Sequence, residues 1–229
     1  MAVALHTQSA SAARPTRPVL VAVSATATLA GELAVPDRAH GLVIFAHGSG
    51  TTRCGAAAQS LADTLHRHGL ATLLIDLLTE KEEEIDERTG KLRFDMVLLS
   101  DRIVAICGWA QRDPQVSGLP TGLFATHTAA GAALLAVTQP PRAVRTVVSC
   151  SGRPDLAGSA LGRVLMPTLF IVGNADEQVR ELNGRAIERM HNEARLEVVA
   201  AASRARDATI GLDEVGRMAA EWFERMLGN

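Results

Sequence analysis

The chain has 229 residues, of which 47% are hydrophobic and only 3% aromatic, and its formal net charge is -2. That length and composition predict one globular α/β domain whose core is built from Ala, Val and Leu. The near-neutral charge gives no basic surface for nucleic acid or an anionic membrane, and no apolar run is long enough to span a bilayer. We therefore expect neither nucleic acid nor a membrane among its partners.

The N-terminal residues 1–17 are rich in Ala, Ser and Thr and lack the basic and apolar regions of a secretion signal. We predict that they form a flexible lead-in, that residues 18–229 form the single domain, and that the protein is cytoplasmic. The three cysteines are widely spaced, which excludes a local disulfide framework and a C-x-x-C site. No group of histidines or carboxylates has metal-ligand spacing, so we expect neither a metal nor a cofactor.

Short β-rich runs alternate with longer segments of helical periodicity. Strands are predicted, in chain order, at 19–23, 27–35, 41–46, 71–75, 122–126, 144–149, 168–172 and 196–199. Helices are predicted at 55–68, 94–111, 128–137, 177–192 and 212–227. The charged stretch 79–93 is predicted to be a solvated helical turn or a loop, with an active-site rim as the alternative. Repeated β–α units indicate a mostly parallel sheet with helices on both faces, whose ligands bind beyond the carboxyl ends of the strands.

Three of these strand ends carry residues suited to catalysis. The stretch 47–50 follows a buried strand, and its glycines allow backbone N–H groups to turn toward an oxyanion. The stretch 125–129 has the form of a sharp strand-to-helix turn with His127 at its apex, and Asp176 follows a late strand. The residues expected to bind an oxyanion or a ligand are His47, Gly48, Ser49, Gly50 and Thr128.

The order of these features resembles that of an α/β-hydrolase, in which an oxyanion loop is followed by the nucleophile elbow, an acid and a histidine base. The chain specifically resembles the dienelactone hydrolase-like branch over nearly its whole length. The resemblance rests on the stretches 47–50, 74–79, 93–95, 151–155 and 171–176. It implies an α/β-hydrolase fold with a mostly parallel sheet, and it implies that His127, Asp176 and Arg204 stand at the three catalytic positions.

Two of those three positions differ in chemical type from the family pattern. Family members carry Gly-x-Ser-x-Gly or Gly-x-Cys-x-Gly at the elbow and a histidine in the last loop, whereas this chain carries His127 between alanines and Arg204. The elbow residue has a positive φ, which histidine tolerates better than most residues. A guanidinium remains protonated, so Arg204 cannot act as the base; it either pairs with Asp176 or holds an anionic group of a ligand.

Three further side chains are expected to border the pocket: Cys54, Asp76 and Cys150. A thiol becomes a nucleophile only beside a base or in a positive environment, and Cys54, near His47, is the candidate for such a displaced nucleophile. The other interpretation of all three cysteines, which include Cys107, is that they are reduced thiols in or near the core.

The leading functional hypothesis is a degenerate, non-hydrolytic member of the fold that binds a small carbonyl-containing molecule. Such a protein would promote proton transfer, cyclisation or isomerisation through His127 and nearby backbone donors. The second hypothesis is an ester or lactone hydrolase with non-standard catalytic residues. The third is a non-catalytic binding or interaction protein, and for this class a homo-oligomer is the expected assembly.

Overall fold

The computed structural model describes residues 16–48, 55–200 and 208–228, which form one sheet with helices on both faces. The strands are β1 (Thr16–Ala22), β2 (Thr28–Ala34), β3 (Gly41–His47), β4 (Leu70–Asp76), β5 (Thr121–Thr126), β6 (Val144–Cys150), β7 (Thr168–Gly173) and β8 (Ala194–Val199). The helices are α1 (Ala56–Arg67), α2 (Glu80–Thr89), α3 (Met96–Ala110), α4 (His127–Ala136), α5 (Glu177–Ile187) and α6 (Ala208–Leu227). Two 3₁₀ segments, Leu92–Phe94 and Pro154–Arg163, complete the described elements.

The strand order across the sheet is β1-β2-β4-β3-β5-β6-β7-β8. The pairs β1–β2 and β2–β4 are antiparallel, and every pair from β4 to β8 is parallel. The predicted mostly parallel α/β sheet is thereby confirmed. Because β3 and β5 occupy the middle of the sheet, their carboxyl ends lie side by side.

The core has two layers, one on each face of the sheet. Strand β3 shows this division, because Leu42 and Ile44 face the layer that holds α3 and α4, whereas Val43 and Phe45 face the layer that holds α1 and α6. Every residue of β3 is buried. This double burial explains why the strand reads as a continuous apolar run rather than as an alternating pattern.

The structure corrects several predicted boundaries. Strand β1 begins at Thr16, before the predicted start of the domain at residue 18, and residues 1–15 of the predicted lead-in lie outside the described residues. Helix α3 begins at Met96 rather than at residue 94, because the Asp95 carboxylate caps it by accepting a hydrogen bond from the Leu98 N–H at 3.0 Å. Helix α6 begins earlier than predicted, at Ala208.

The charged stretch after β4 contains a regular helix, α2, rather than only a loop. Its first turn is closed by a capping box, in which the Thr79 side chain accepts from the Glu82 N–H and the Glu82 carboxylate accepts from the Thr79 N–H. Its last turn ends at Gly90, whose φ of 62° is the left-handed conformation typical of a helix C-terminus. The two end signals therefore set the bounds of this highly charged helix.

Candidate active site

The carboxyl end of β3 forms the centre of the candidate site. His47 is buried, its ring stacks on Phe45 with centroids 6.0 Å apart, and its carbonyl accepts a hydrogen bond from the Leu77 N–H at 2.9 Å. That bond ties the end of β3 to the segment that follows β4. The predicted ligand-binding residue His47 therefore lies inside the wall of the site rather than on its surface.

The predicted elbow is present between β5 and α4. Thr126 has an extended backbone, His127 has a φ of 50°, and α4 starts at His127 itself. The imidazole of His127 is exposed, and the side chain of Thr126 makes no capping hydrogen bond to α4. The first-turn N–H groups of α4 thus have no acceptor from their N-cap side chain, and the helix dipole adds positive potential at the same point.

Gly48 and the first turn of α4 face each other across the site. A Cβ atom built on Gly48 would lie 3.5 Å from the Thr128 Oγ1 and 3.5 Å from the Ala129 Cβ. The loop that follows β3 therefore begins directly against the helix that carries His127. Sequence analysis placed Gly48, His127 and Thr128 in one site, and the structure brings all three to one edge of the sheet.

A cleft of about 590 Å³ opens beside Gly48. Its walls are the β1–β2 hairpin on one side and the start of α2 on the other, with the half-buried Asp76 at the end of β4. The described residues that line it are Leu20, Thr26, Thr28, Ala30, Gly48, Asp76, Leu78, Thr79, Glu80, Lys81 and Glu83. The charged stretch around Lys81 is therefore both a helix and a rim of this cleft.

The rim is held in place by Arg102, a residue that sequence analysis did not select. Its guanidinium is almost fully buried, donates to the Leu77 carbonyl at 2.6 Å and makes a bidentate pair with the Glu82 carboxylate at 2.7 and 2.6 Å. These bonds from Arg102 hold the pKa of Glu82 down at about 2. The ion pair thus connects α3 to the capping box of α2 and fixes the segment between β4 and α2.

The second half of the edge, at the ends of β6 and β7, is packed tightly. Ser151 has a φ of 47°, and a Cβ on Gly152 would lie 2.1 Å from the Ser149 Oγ and 2.6 Å from the Ala130 Cβ, so only glycine fits there. Burial raises the pKa of the Cys150 thiol to about 11. The neutral thiol is therefore the dominant form of Cys150 near pH 7.

Arg153 connects this packed loop to the elbow. Its backbone N–H donates to the His127 carbonyl at 2.9 Å. Its guanidinium donates to both oxygens of Asp155 at 2.8 and 2.7 Å, and these hydrogen bonds lower the pKa of the Asp155 carboxyl. The loop that contains Arg153 therefore supports the backbone of the elbow, and the Arg153 and Asp155 side chains of this loop pair with each other.

Asp176 lies beyond β7 and serves as the N-cap of α5. Its Oδ1 accepts a hydrogen bond from the Val179 N–H at 3.0 Å, and its side chain is exposed. Strand β6 separates β7 from β5 in the sheet, so Asp176 and His127 share an edge but are two strands apart. The Asp176 carboxylate therefore caps α5, and its predicted role as the acid of the site remains a sequence-based expectation.

Four predicted site residues, Ser49, Gly50, Cys54 and Arg204, lie outside the described residues. Their proximity to His127 and the predicted pairing of Arg204 with Asp176 remain sequence-based expectations. Across the described ranges, no three His, Cys, Asp or Glu side chains converge in a group that would hold a metal ion. None of the helices in those ranges is both long and apolar enough to cross a membrane.

Known proteins of the same fold match this chain closely. A dienelactone hydrolase from Anabaena variabilis, known from its crystal structure, is 43% identical, has a TM-score of 0.87, and the match covers 93% of this chain and 99% of that one. The esterase Est1E from Butyrivibrio proteoclasticus is 14% identical with a TM-score of 0.74, over 93% of this chain and 99% of its own. At that lower identity the likeness shows the fold alone.

Two curated proteins of Mycobacterium tuberculosis, from strains CDC 1551 and H37Rv, are each 43% identical over 201 residues and carry the name "Putative phosphoribosyl transferase". The match covers 88% of this chain but only 44% of each relative. The chain thus spans less than half the length of these relatives. No family model matches it.

The sheet order, the positive-φ elbow after β5 and the solved neighbours define an α/β-hydrolase-fold protein. Within that class, the chain belongs to the dienelactone hydrolase family, on the strength of 43% identity over nearly the full length of a solved member.

Proposed function

We propose that this chain binds a small carbonyl compound at the carboxyl edge of its sheet and promotes a proton transfer on it without hydrolysing it. The observation that carries the proposal is the exposed imidazole of His127, held at a φ of 50° on the first residue of α4. Histidine is the side chain that most often acts as a general acid or base, a role that neither serine nor cysteine fills alone.

The cleft beside Gly48 supports a ligand of small-molecule size. Its volume of about 590 Å³ falls in the range of pockets that enclose small ligands, about 300–1,000 Å³. Leu20, Ala30 and Leu78 supply apolar lining, while Thr28 and Asp76 supply polar groups. A compound seated there with its carbonyl toward Gly48 would place the reacting carbon near the elbow.

The proton transfer would proceed in two balanced steps. Neutral His127 takes a proton from the carbon next to the carbonyl, and the electron pair moves onto the carbonyl oxygen to form an enolate. The N–H groups in the first turn of α4, with the positive end of the helix dipole, stabilise that oxygen. The imidazolium then returns its proton to the same or another atom of the ligand, so water is not consumed.

Three properties of the site disfavour hydrolysis by the usual mechanism. The apex of the elbow, His127, carries neither a hydroxyl nor a thiol, and burial raises the pKa of Cys150, so that this thiol stays protonated and weakly nucleophilic. Arg204, at the position of the family's base, would remain protonated. An acyl group transferred to His127 would therefore lack a neighbouring base to activate water.

Hydrolysis of an ester or lactone is the second candidate, because the solved relative at 43% identity is named a dienelactone hydrolase. It would require His127 or Cys54 as the nucleophile. A purely non-catalytic binding role is the third, and it predicts ligand binding at the cleft with no chemical change in the ligand.

The mycobacterial relatives are named as transferases, and we assign that activity to the part of their length that this chain does not match. The hydrolase-fold region matches less than half of each relative. We propose that phosphoribosyl transfer in such proteins belongs to the part outside the match. Accordingly, this chain should show no thermal shift with phosphoribosyl diphosphate.

The test is solvent-deuterium exchange in a panel of lactones, enol-lactones and β-keto esters, followed by proton NMR. The wild-type chain should exchange the proton next to the carbonyl faster than buffer, and His127→Gln should slow that exchange about 100-fold. His191→Gln is the matched control, since His191 is also exposed but lies before β8. Exchange that is unchanged in His127→Gln, or hydrolysis that disappears in Cys54→Ala, would overturn the proposal.

A further inference from the structure

The two edges of the sheet differ in how they resist pairing with another strand. The edge strand β1 contains Pro18, which has no backbone N–H to donate. Proline is a common means of blocking an open edge. The opposite edge strand, β8, has the sequence Ala-Arg-Leu-Glu-Val-Val, contains no proline and leaves Val198 44% exposed.

The backbone N–H and C=O groups of β8 point alternately toward β7 and away from it. The carbonyls of Glu193 and Val199 accept hydrogen bonds from β7 and the residue after it, Thr168 N–H at 2.8 Å and Asn174 N–H at 2.9 Å. Successive residues of a strand direct their backbone groups to opposite sides, so residues 194, 196 and 198 direct theirs away from the sheet. No described strand pairs with that outer side.

The side chains of β8 are complementary to themselves. In an antiparallel pair of two β8 strands centred on Leu196, Arg195 lies opposite Glu197 of the second copy, and Glu197 lies opposite its Arg195. Two residues that lie directly opposite each other must point to the same face of the sheet. The pairing must therefore be centred on a residue that lies opposite its own copy, and not between two residues. Moving the centre to residue 195 or 197 would oppose two arginines or two glutamates, so the charges favour Leu196 over these two neighbouring centres.

The backbone directions favour the same register. With residues 194, 196 and 198 directed outward, the charged residues fall at the non-hydrogen-bonded positions of the new ladder. Opposed Cα atoms are closest there, at about 4.5 Å. The arginine and glutamate side chains would therefore meet at the shortest cross-strand separation.

The existing ion pairs also leave these two side chains available. Within the described residues, Glu197 has no ion-pair partner. Arg195 contacts Glu193 at 3.2 Å, but Glu193 also pairs with Arg225 at 3.0 Å. Arg195 can thus turn to a new carboxylate while Glu193 keeps a cation.

We propose that two copies of this chain associate through their β8 edges as an antiparallel pair centred on Leu196, which joins the two sheets into one. The occupant of this edge is a second copy because Arg195 and Glu197 are complementary to each other's copies in the register centred on Leu196, which also places them at the non-hydrogen-bonded positions. The α6 helices of both copies would lie on the same face of the joined sheet, beside Arg195.

Sedimentation velocity over a range of concentrations tests this, with Arg195→Glu, Glu197→Arg and the double variant that exchanges the two charges. The wild type should sediment as a dimer, and each single reversal should raise the dissociation constant at least about tenfold by opposing like charges. The double variant restores the complementarity and should return the dissociation constant toward the wild-type value. Circular dichroism confirms that each variant is folded.

Each other result contradicts the proposal. A wild type that remains monomeric at every concentration rules out the interface. A dimer that both single variants preserve must use another surface. A double variant that stays as weak as the single variants shows that the opposed charges do not set the register.

Discussion

The carboxyl edge of the sheet has two halves, and the polar residues at the strand ends are exposed beside a cleft in one half but packed or used as a helix cap in the other. In the elbow half, at the ends of β3, β4 and β5, the imidazole of His127 is exposed and a cleft opens beside Gly48. In the acid half, at the ends of β6 and β7, Gly152 is packed against Ser149, and Asp176 caps α5. Polar residues at a strand end therefore do not by themselves indicate catalysis.

The contrast arises from what surrounds each side chain. The first turn of α4 donates no hydrogen bond to its N-cap side chain, Thr126, and we assign its N–H groups to a ligand oxygen. The first turn of α5 has Asp176, which accepts from Val179. The start of α4 thus has no side-chain cap, whereas the start of α5 is capped by Asp176.

The substitution Arg102→Met should have the largest effect, because it removes one member of a nearly buried ion pair, which leaves Glu82 without its cation and the Leu77 carbonyl without the guanidinium donor. We expect the free energy of unfolding to fall by about 3 kcal/mol. Because the Arg102–Glu82 pair holds the start of α2, whose residues Glu80, Lys81 and Glu83 line the cleft, ligand affinity should weaken as well. Urea denaturation and ligand titration measure the two effects; an unchanged affinity would show that the rim does not shape the binding site.

Gly152→Ala tests the acid half. The added Cβ would collide with Ser149 and Ala130, so the stability should fall by about 2 kcal/mol. Gly184→Ala is the control, since a Cβ there has nothing within 4 Å. Proton exchange at saturating ligand should be retained wherever the variant remains folded. A selective loss of exchange with normal stability would place the loop in the catalytic machinery instead.

Asp176→Ala distinguishes a cap from a catalytic acid. Loss of the hydrogen bond to Val179 should destabilise the protein by about 1 kcal/mol. Asp176→Asn keeps an acceptor and should lose less. The rate of proton exchange should change less than about threefold in both variants, because the proposed proton transfer uses His127 alone. If the rate fell a hundredfold in both, the two halves would form one catalytic unit.

A pH dependence from Glu82 is expected to be comparable in size to the effect of Asp176→Ala. Its pKa is about 2 in the folded chain against an ordinary 4.5, so its carboxylate stabilises the fold above pH 4.5. This contribution is lost as the pH falls from 4.5 toward 2, because protonation breaks the pair with Arg102. Allowing for solvent screening of the partly exposed group, we expect about 1 kcal/mol. Glu82→Gln should remove this pH dependence of the free energy of unfolding between pH 4.5 and 2, whereas Glu84→Gln should leave it unchanged.

The sequence predicted the sheet because buried parallel strands such as β3 are continuous apolar runs. It also predicted the elbow, and φ is 50° at His127 as expected. The sequence predicted only a helical turn or a loop where α2 lies, because its charged residues show no apolar periodicity and its support comes from Arg102, 20 residues along the chain from Glu82. The need for glycine at position 152 was likewise invisible, since it arises from contacts with Ser149 at the end of β6 and with Ala130 of α4.

The most direct test of the central claim follows one substrate and two reactions together. An enol-lactone with an exchangeable proton next to its carbonyl is incubated with the chain in D₂O, and proton NMR records deuterium uptake and ring opening in the same sample. We predict deuterium uptake well above the protein-free rate with ring opening at the protein-free rate. Ring opening that is accelerated as much as the uptake, or more, would contradict the account and indicate a working lactone hydrolase.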